Sequence, residues 1–488
     1  MLPNDVLLEI FDFCRTNCDT FLSVWEWHLL VHVCPRWRQV VFASPLRLNL
    51  QILCTYGTPV RKYLSIWPAF PIIIDLYSMT GIPPNDEDNV VAALSSKLLD
   101  RICVIRLDVT GSQLESIVKV MQEPFPVLKS LRITSEDSKA AELPAKFLGG
   151  SAPSLLEVSL YGVPYPTLPA LLWSAIDLVE LDLRKIPPNG YISPEAMVVG
   201  LAALPKLEIF ILGFQRHSHP IRPPPAISSH LLQVLPSLTY FEFNGASEYL
   251  EDLVARIDVP QLIHILIVYL NQLLDFRAVQ LAKFIDRSVG TDLTQFKHAH
   301  ITFSSDKVTF DICRDANYPL WDWRSARTDI SCEGIDWQVS HITQVLRQLS
   351  STLCNVIHLQ LKTEPEGLQL KDAGDVEWLD LLRRFPTVRT LRVSQELARR
   401  VALVLEDVTG TMVAEVLPLL DLICLAGQPA STIEKFIAIR WLSGYTVTVI
   451  ETEREFERLK SHVIEKVPDQ LRISLSWCPS SSNQHCHI

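Results

Sequence analysis

One short pattern recurs along the chain and decides its fold: LKSLRI at residues 128–133, LLEVSL at 155–160 and LVELDL at 178–183. Apolar residues stand at the first, fourth and sixth positions, so the end of each copy alternates like a strand with one buried face. Further copies are ICVIRL (102–107), LEIFIL (207–212), LTYFEF (238–243), LIHILI (262–267), FKHAHI (296–301), VIHLQL (356–361), VRTLRV (388–393) and LDLICL (420–425). This recurrence predicts a repeat architecture with one short strand per unit.

Helical stretches separate the strands, for example at residues 90–99, 195–204 and 278–288. A single strand-and-helix unit cannot bury its apolar face, so neighbouring units must stack. We therefore predict an α/β fold in which residues 49–477 form an irregular leucine-rich-repeat-like solenoid with a mostly parallel sheet. Glu136, Val163 and Ile186 stand where ordinary repeats carry an Asn after the strand, which predicts uneven curvature.

One interval between copies is about twice as long as the others and predicts an excursion from the repeat. Residues 307–313 and 327–332 alternate like strands on either side of YPLWDW (318–323), and 338–349 reads as a helix. We expect a β-hairpin or added edge strands there. Beyond it we predict a strand at 445–450, a helix at 451–467, a strand at 471–477 and a disordered tail at 478–488.

The first fifty residues have a different pattern and predict three short helices. LPNDVLLEIFDFC begins the chain, and Leu7, Ile10, Phe11 and Cys14 recur at helical spacing. Pro35 ends a second helical stretch and can begin a third, which Pro45 closes. Helices this short bury only a marginal core alone, so their apolar faces need a partner or the rest of the chain.

LPNDVLLEIF followed by LLVHVCPRWRQVVFASP resembles the F-box, whose pattern is Leu-Pro, an acidic residue, an aliphatic run and later Val-Cys-x-x-Trp. The resemblance covers residues 1–48. It implies docking on a Skp-type adaptor and, through it, a cullin. The adaptor contacts implied by the resemblance are Leu2, Pro3, Val6, Leu7, Ile10, Phe11, Leu30, Val33, Cys34 and Trp37.

The whole plan, including residues 42–74, resembles the large F-box-like families of mushroom-forming fungi. That resemblance implies the substrate-recognition subunit of an SCF-type (Skp, cullin, F-box) ubiquitin ligase, with an unknown target protein held by the solenoid. An alternative stays open from the residues themselves. The three helices could cap the first repeat of a protein-interaction scaffold that has no ubiquitin role.

Target recognition in such a solenoid is expected on the concave face, where strand residues between the buried positions point. The main candidates are Arg132, Glu157, Tyr161, Glu180, Asp182, Arg184, Tyr240, Glu242, His264, His298, His300, His358 and Arg392. Further candidates are Arg106, Asp108, Asn244, Gln360 and Lys362. The first half of this surface is acid-leaning and suits a basic target segment, whereas the histidines of the second half predict sensitivity to pH.

Composition and motifs exclude several other functions. The net charge is -11 and no run of Lys and Arg occurs, so we expect no binding to nucleic acid. The 11 scattered cysteines indicate reduced thiols in the cytoplasm or nucleus, and no apolar run is long enough to cross a membrane. Nucleotide-binding, metalloprotease and hydrolase motifs are absent from the sequence, as is any C-x-x-C pair. We expect no cofactor, no metal site and no catalysis by the chain itself.

Overall fold

The computed structural model describes residues 2–16, 23–55, 67–76, 91, 94, 98–137, 141–215, 232–270, 278–288, 296–313, 325–332, 335–364, 375–408, 412 and 415–450. The predictions for 318–323, for the segments after 450 and for most of 90–99 lie outside these residues. Contacts divide the chain into two compact units. Unit 1 comprises Met1–Leu270 and Val279–Val289, and unit 2 comprises Asn271–Ala278 and Gly290–Ile488.

Unit 1 begins with three helices and continues as strands alternating with helices. The helices are α1 (Asn4–Thr16), α2 (Ser23–Val33), α3 (Pro35–Ala43), α4 (Gly111–Val120), α5 (Leu168–Leu172), α6 (Pro194–Leu201), α7 (Ser247–Val254) and α8 (Val279–Ser288). The strands are β1 (Ile52–Cys54), β2 (Ile72–Leu76), β3 (Ile102–Asp108), β4 (Ser130–Thr134), β5 (Glu157–Tyr161), β6 (Glu180–Ile186), β7 (Ile209–Phe214), β8 (Gln233–Val234), β9 (Tyr240–Gly245), β10 (Ile257–Asp258) and β11 (His264–Tyr269).

The sheet of unit 1 is parallel throughout, with the strand order β1 to β7, then β9 and β11. Strands β8 and β10 form a separate small parallel pair. Alternate strand residues such as Leu131 and Leu181 are fully buried. The helices cover this buried side, where Phe241 packs on Phe284 of α8 and Phe243 on Tyr249 of α7. We call the other side of the sheet, with its half-buried polar residues, the open face.

Unit 2 keeps the parallel repeat but contains an antiparallel insertion. Its helices are α9 (Ile335–Gln348), α10 (Ser350–Leu353), α11 (Asp375–Arg383), α12 (Gln395–Glu406) and α13 (Glu434–Leu442). Its strands are β12 (His298–Phe303), β13 (Lys307–Cys313), β14 (Ser325–Ser331), β15 (His358–Thr363), β16 (Thr390–Val393), β17 (Leu422–Leu425) and β18 (Thr448–Ile450). Strand β13 pairs antiparallel with both β12 and β14, whereas β12 and β15 to β18 pair in parallel.

The mixed α/β, mostly parallel architecture predicted from the repeats is confirmed. Each of the eleven predicted segments contains a strand, and most begin two residues later than the pattern. The first Leu of the pattern, as at Leu128, Leu155 and Leu178, is buried in the turn before the strand. The β-hairpin predicted for 307–313 and 327–332 is present as β13 and β14, but β13 also pairs with β12, so it is an interior strand of the sheet and does not protrude from its edge. Strands β1 and β2 were missed, because ILC (52–54) and IIIDL (72–76) lack the apolar spacing of the repeat.

Local signals define several helix starts. Thr110 and Gln113 form a capping box at α4, and the Ser193 hydroxyl accepts from Ala196 N at α6, where Pro194 occupies the first turn. Helix α3 begins at Pro35, and the Cys34 Sγ accepts a hydrogen bond from the Trp37 amide at 3.4 Å. The three predicted N-terminal helices are therefore present. Their F-box identity and the domain boundary at residue 48 stay predictions.

Candidate interaction surfaces

The three N-terminal helices share a small apolar core. Leu7, Leu8 and Phe11 of α1 are buried, and Phe11 meets Trp37 of α3 edge-on with ring centroids 4.8 Å apart. The sequence placed Leu7, Ile10 and Phe11 on one apolar face, but Ile10 points away from this core and is exposed. The covered side of α1 is centred on Leu7, Leu8 and Phe11, which turns Ile10 toward solvent. Leu7 and Phe11, both predicted adaptor contacts, are therefore buried within the chain.

Other apolar side chains of α1 and α2 remain exposed. Val6, Ile10 and Phe13 recur at i, i+4 and i+7 along α1, and Phe13 is 68% exposed. Leu29 and Val33 lie one turn apart on α2, with Leu29 71% exposed. Leu2 and Pro3 are exposed, whereas Leu30, Cys34 and Trp37 are half-buried. Phe13 and Leu29 are absent from the predicted contacts, although their helical spacing from Ile10 and Val33 could have found them.

The same helices are attached to the start of the sheet through Trp27. Its Nε1 donates to the Gln51 carbonyl at 3.0 Å, just before β1. Its ring also contacts Trp67 and Phe70, at centroid distances of 5.3 and 5.6 Å. The helices thus cover the first strands with one side while their apolar residues stay exposed on another.

The open face of unit 1 carries the predicted target-binding residues in straight rows. Register places Ser130, Glu157, Glu180, Ile209, Tyr240 and His264 side by side on successive strands from β4 to β11. A second row contains Arg106, Arg132, Ser159, Asp182, Ile211 and Glu242. Asp108, Tyr161, Arg184 and Asn244 lie toward the strand ends. Lys185 Nζ lies 4.8 Å above the Tyr161 ring.

Arg184 links two strands that are not neighbours. Its Nη1 and Nη2 each donate to a carboxylate oxygen of Glu242 at 3.0 Å, and its Nε donates to Asp182 at 2.9 Å. The side chain crosses β7, where the neighbouring residue Gly213 has no side chain to obstruct it. The bridge holds Glu242, which the sequence predicted as a surface contact, in a buried position.

Negative charge accumulates beside this bridge. Burial, and then the nearby carboxylates of Glu157 and Asp182, raise the pKa of Glu180 despite the opposing effect of Arg132 and Arg184. Burial likewise raises the pKa of Asp108, with a further contribution from Glu136. Arg106 is paired with Asp75 at 3.3 Å. The middle of this face is therefore acidic, as predicted from the sequence.

The open face of unit 2 gathers three predicted histidines at its parallel strands. The His298 and His358 rings stack with centroids 4.5 Å apart and planes 12° apart. His300 Nδ1 lies 2.9 Å from the Gln360 side-chain oxygen, and register puts the half-buried Arg392 beside Gln360. His264, the fourth predicted histidine, lies instead in unit 1 beside Tyr240, with ring centroids 6.0 Å apart.

The inserted strands add charged groups that the predicted contacts omitted. Asp311 of β13 lies opposite His300, and burial raises the pKa of its carboxyl to about 6. Asp329 contributes to the same rise, whereas Arg327, Lys362 and Lys307 oppose it. Arg327 Nε donates to Asp329 at 2.9 Å, and Lys307 Nζ lies 3.5 Å from the same carboxylate. The alternation KVTFDIC (307–313) puts Lys307, Thr309 and Asp311 on one side of the strand, so the sequence could have identified them.

Within the described ranges, no three His, Cys, Asp or Glu side chains converge in a geometry that could hold a metal ion. Over the same residues, no helix is long and apolar enough to span a membrane. The described side chains thus offer extended polar and apolar surfaces.

No protein-family model and no curated protein matches the chain. Among solved structures, the chain is similar to the leucine-rich repeat-containing protein LegL7 from Legionella pneumophila, at 13% identity over 81% of this chain and 99% of that one. The TM-score is 0.27, a level at which the likeness carries no argument. The leucine-rich-repeat-like organisation of this chain rests on its own repeated parallel strands.

Proposed function

We propose that this chain holds one protein beside another, as the substrate-recognition subunit of an SCF-type ubiquitin ligase. The first helices would bind a Skp-type adaptor and the solenoid a target protein. The observation that carries the proposal is the exposed apolar set formed by Leu2, just before α1, and by residues of α1 and α2: Val6, Ile10, Phe13, Leu29 and Val33. Removing such side chains from water contributes about 25 cal/mol for each Å², which is partly offset by the freedom lost on association.

The F-box resemblance agrees with this surface at Leu2, Val6, Ile10 and Val33, four of its implied adaptor contacts that are exposed. The contribution of the chain would be proximity, since tethering a target beside a conjugating enzyme converts a rare encounter into a local one. The cullin would be reached through the adaptor. The chemistry would belong to the partners.

The alternative, an interaction scaffold capped by the three helices, is favoured by the contacts of Trp27. These contacts make the helices part of unit 1, so deletion of residues 1–48 would destabilise the sheet whether or not an adaptor binds. Capping and adaptor binding use different sides of the helices and are compatible. Only substitutions on the exposed side separate the two functions.

The test is titration of the full chain with a purified Skp-type adaptor by calorimetry. Ile10→Asp places a charge in the proposed interface and should weaken binding at least a hundredfold, about 3 kcal/mol, because the carboxylate loses water without gaining a partner. Ile176→Asp is the matched control, since Ile176 is similarly exposed in unit 1 but lies outside the helices. It should bind like the parent protein.

Equal thermal melts for the two variants would show that the loss is local. The ligase proposal fails if the parent chain does not bind the adaptor, or if Ile10→Asp binds as tightly as the parent. Either result would leave the capped scaffold as the function of the chain.

A further inference from the structure

One row on the open face of unit 1 combines negative charge with an apolar end. We call the row formed by Glu157, Glu180, Ile209, Tyr240 and His264 the strip. Its members occupy the same register level on β5, β6, β7, β9 and β11. Adjacent strands are about 4.8 Å apart, so the strip crosses the sheet in even steps.

Two cations, Arg132 and Arg184, lie near the carboxylates at the acidic end of the strip. Ser130 Oγ donates to Glu157 at 2.9 Å, but neither Glu157 nor Glu180 forms an ion pair with any described residue. Arg184 is already bound to Asp182 and Glu242, and Arg132 only partly offsets the repulsion of Glu180 by the carboxylates of Glu157 and Asp182. An incoming ammonium or guanidinium group would therefore relieve like-charge repulsion as well as gain its own attraction.

The other end of the strip is apolar and aromatic. Ile209 is half-buried, and Ile211 below it is buried beside the Arg184 bridge. The Tyr240 hydroxyl donates to Glu242 at 3.1 Å, which fixes the orientation of the ring. A preorganised aromatic ring binds an apolar side chain with little loss of conformational freedom.

We propose that the strip binds an extended segment of the target protein. In this segment, Lys or Arg stands two to four positions from a large apolar or aromatic residue. Glu180 and Tyr240 are two strand spacings apart along the strip, or about 10 Å. An extended chain covers this distance in about three residues at about 3.4 Å each. The inference rests on the proposed function, whose target-binding arm it specifies.

The test uses a displayed library of random 12-residue peptides selected on the full-length protein. Enriched peptides should contain a basic residue two to four positions from an aromatic or aliphatic one. A synthetic peptide of the enriched pattern is then measured by fluorescence polarisation. Its binding should weaken at least tenfold in Glu157→Lys/Glu180→Lys and several-fold between 50 and 300 mM salt, because part of the attraction is screened.

The matched control is Glu123→Lys/Glu248→Lys, which reverses the same number of charges at exposed positions of unit 1 outside the strip. It should bind the peptide within twofold of the parent. The inference is overturned if selection yields no enriched pattern, if the enriched peptides are acidic, or if both double variants bind equally. Adaptor titration of the same preparations is independent of the strip. Adaptor binding that survives alongside a negative peptide result would reject this inference and leave the ligase role standing.

Discussion

The open faces of the two units are both formed largely by parallel strands, but their side chains carry different charges. In unit 1, one guanidinium bridges two strands and leaves a net acidic strip beside an aromatic ring. In unit 2, an antiparallel pair brings Asp311 next to His300, with the His298 and His358 rings stacked on the neighbouring strands. The parallel repeat that the two units share therefore leaves the chemistry of each face to the residues that alternate with the core. The strip proposed for unit 1 would attract a cation at neutral pH, whereas in unit 2 the Asp311 carboxyl, whose pKa burial raises to about 6, changes charge under mildly acidic conditions.

The largest loss of stability is expected on substitution of a glycine that follows a strand, and the two units each contain one such glycine for comparison. Gly162, at the end of β5, has φ +69°, and an added Cβ would lie 2.0 Å from the Ser135 carbonyl oxygen. Gly427, after β17, has φ +75°, but its added Cβ would meet only the flexible Gln395 side chain at 3.1 Å. Gly162→Ala should destabilise by more than about 3 kcal/mol, since backbone must move, and Gly427→Ala by about 1 kcal/mol.

Urea denaturation of both variants, followed by tryptophan fluorescence and circular dichroism, measures this difference. Equal and small losses of stability in the two variants would contradict the close approach of Gly162 to the Ser135 carbonyl.

The second prediction concerns the contribution of the Arg184–Glu242 bridge to stability. Arg184→Met removes the partner of the buried Glu242 carboxylate and should destabilise unit 1 by about 2 kcal/mol. Arg184→Lys keeps a charge without the bidentate geometry and should lose about half as much. Arg389→Met is the control in unit 2, because both side chains of the Arg389–Asp421 pair are exposed. This substitution should change stability by less than about 0.5 kcal/mol. Similar denaturation midpoints for all three variants would contradict a structural role of the bridge.

The smallest effect is a pH dependence specific to unit 2. The pKa of Asp311 is about 6 in the folded protein, whereas an unfolded Asp releases its proton near pH 4. The folded state therefore binds more protons between about pH 4 and 6, and stability falls as pH rises through this window and stays lowered above it. Asp311→Asn should be more stable than the parent by about 1 kcal/mol at pH 7.5 and should lose this slope.

Denaturation midpoints from pH 4.5 to 8 provide the measurement. Asp306→Asn serves as the control, because Asp306 lies in the same insertion but is exposed. A parent slope that persists in Asp311→Asn would assign the titration to another group.

The repeats could be predicted because each strand contributes its own alternation and its own buried Leu. The rotation of helix α1 about its axis could not be predicted, because Ile10 and Phe11 are both apolar. The sequence does not show that Phe11 is the residue that contacts Trp37. The Arg184–Glu242 bridge joins residues 58 positions apart. It lies beside the irregular register after Leu183, where Lys185 has φ 49°. Long-range contacts of this kind follow from the assembled sheet and not from any local pattern.

The central claim is that the exposed side of α1 and α2 binds an adaptor while the opposite side holds the helices on the sheet. Hydrogen–deuterium exchange of the full-length chain, with and without a Skp-type adaptor, tests it most directly. We expect the amides of α1 and α2 to exchange more slowly when the adaptor binds, and the exchange of the amides of β4 to β11 to be unchanged. Protection confined to the sheet, or none anywhere at saturating adaptor, would contradict it.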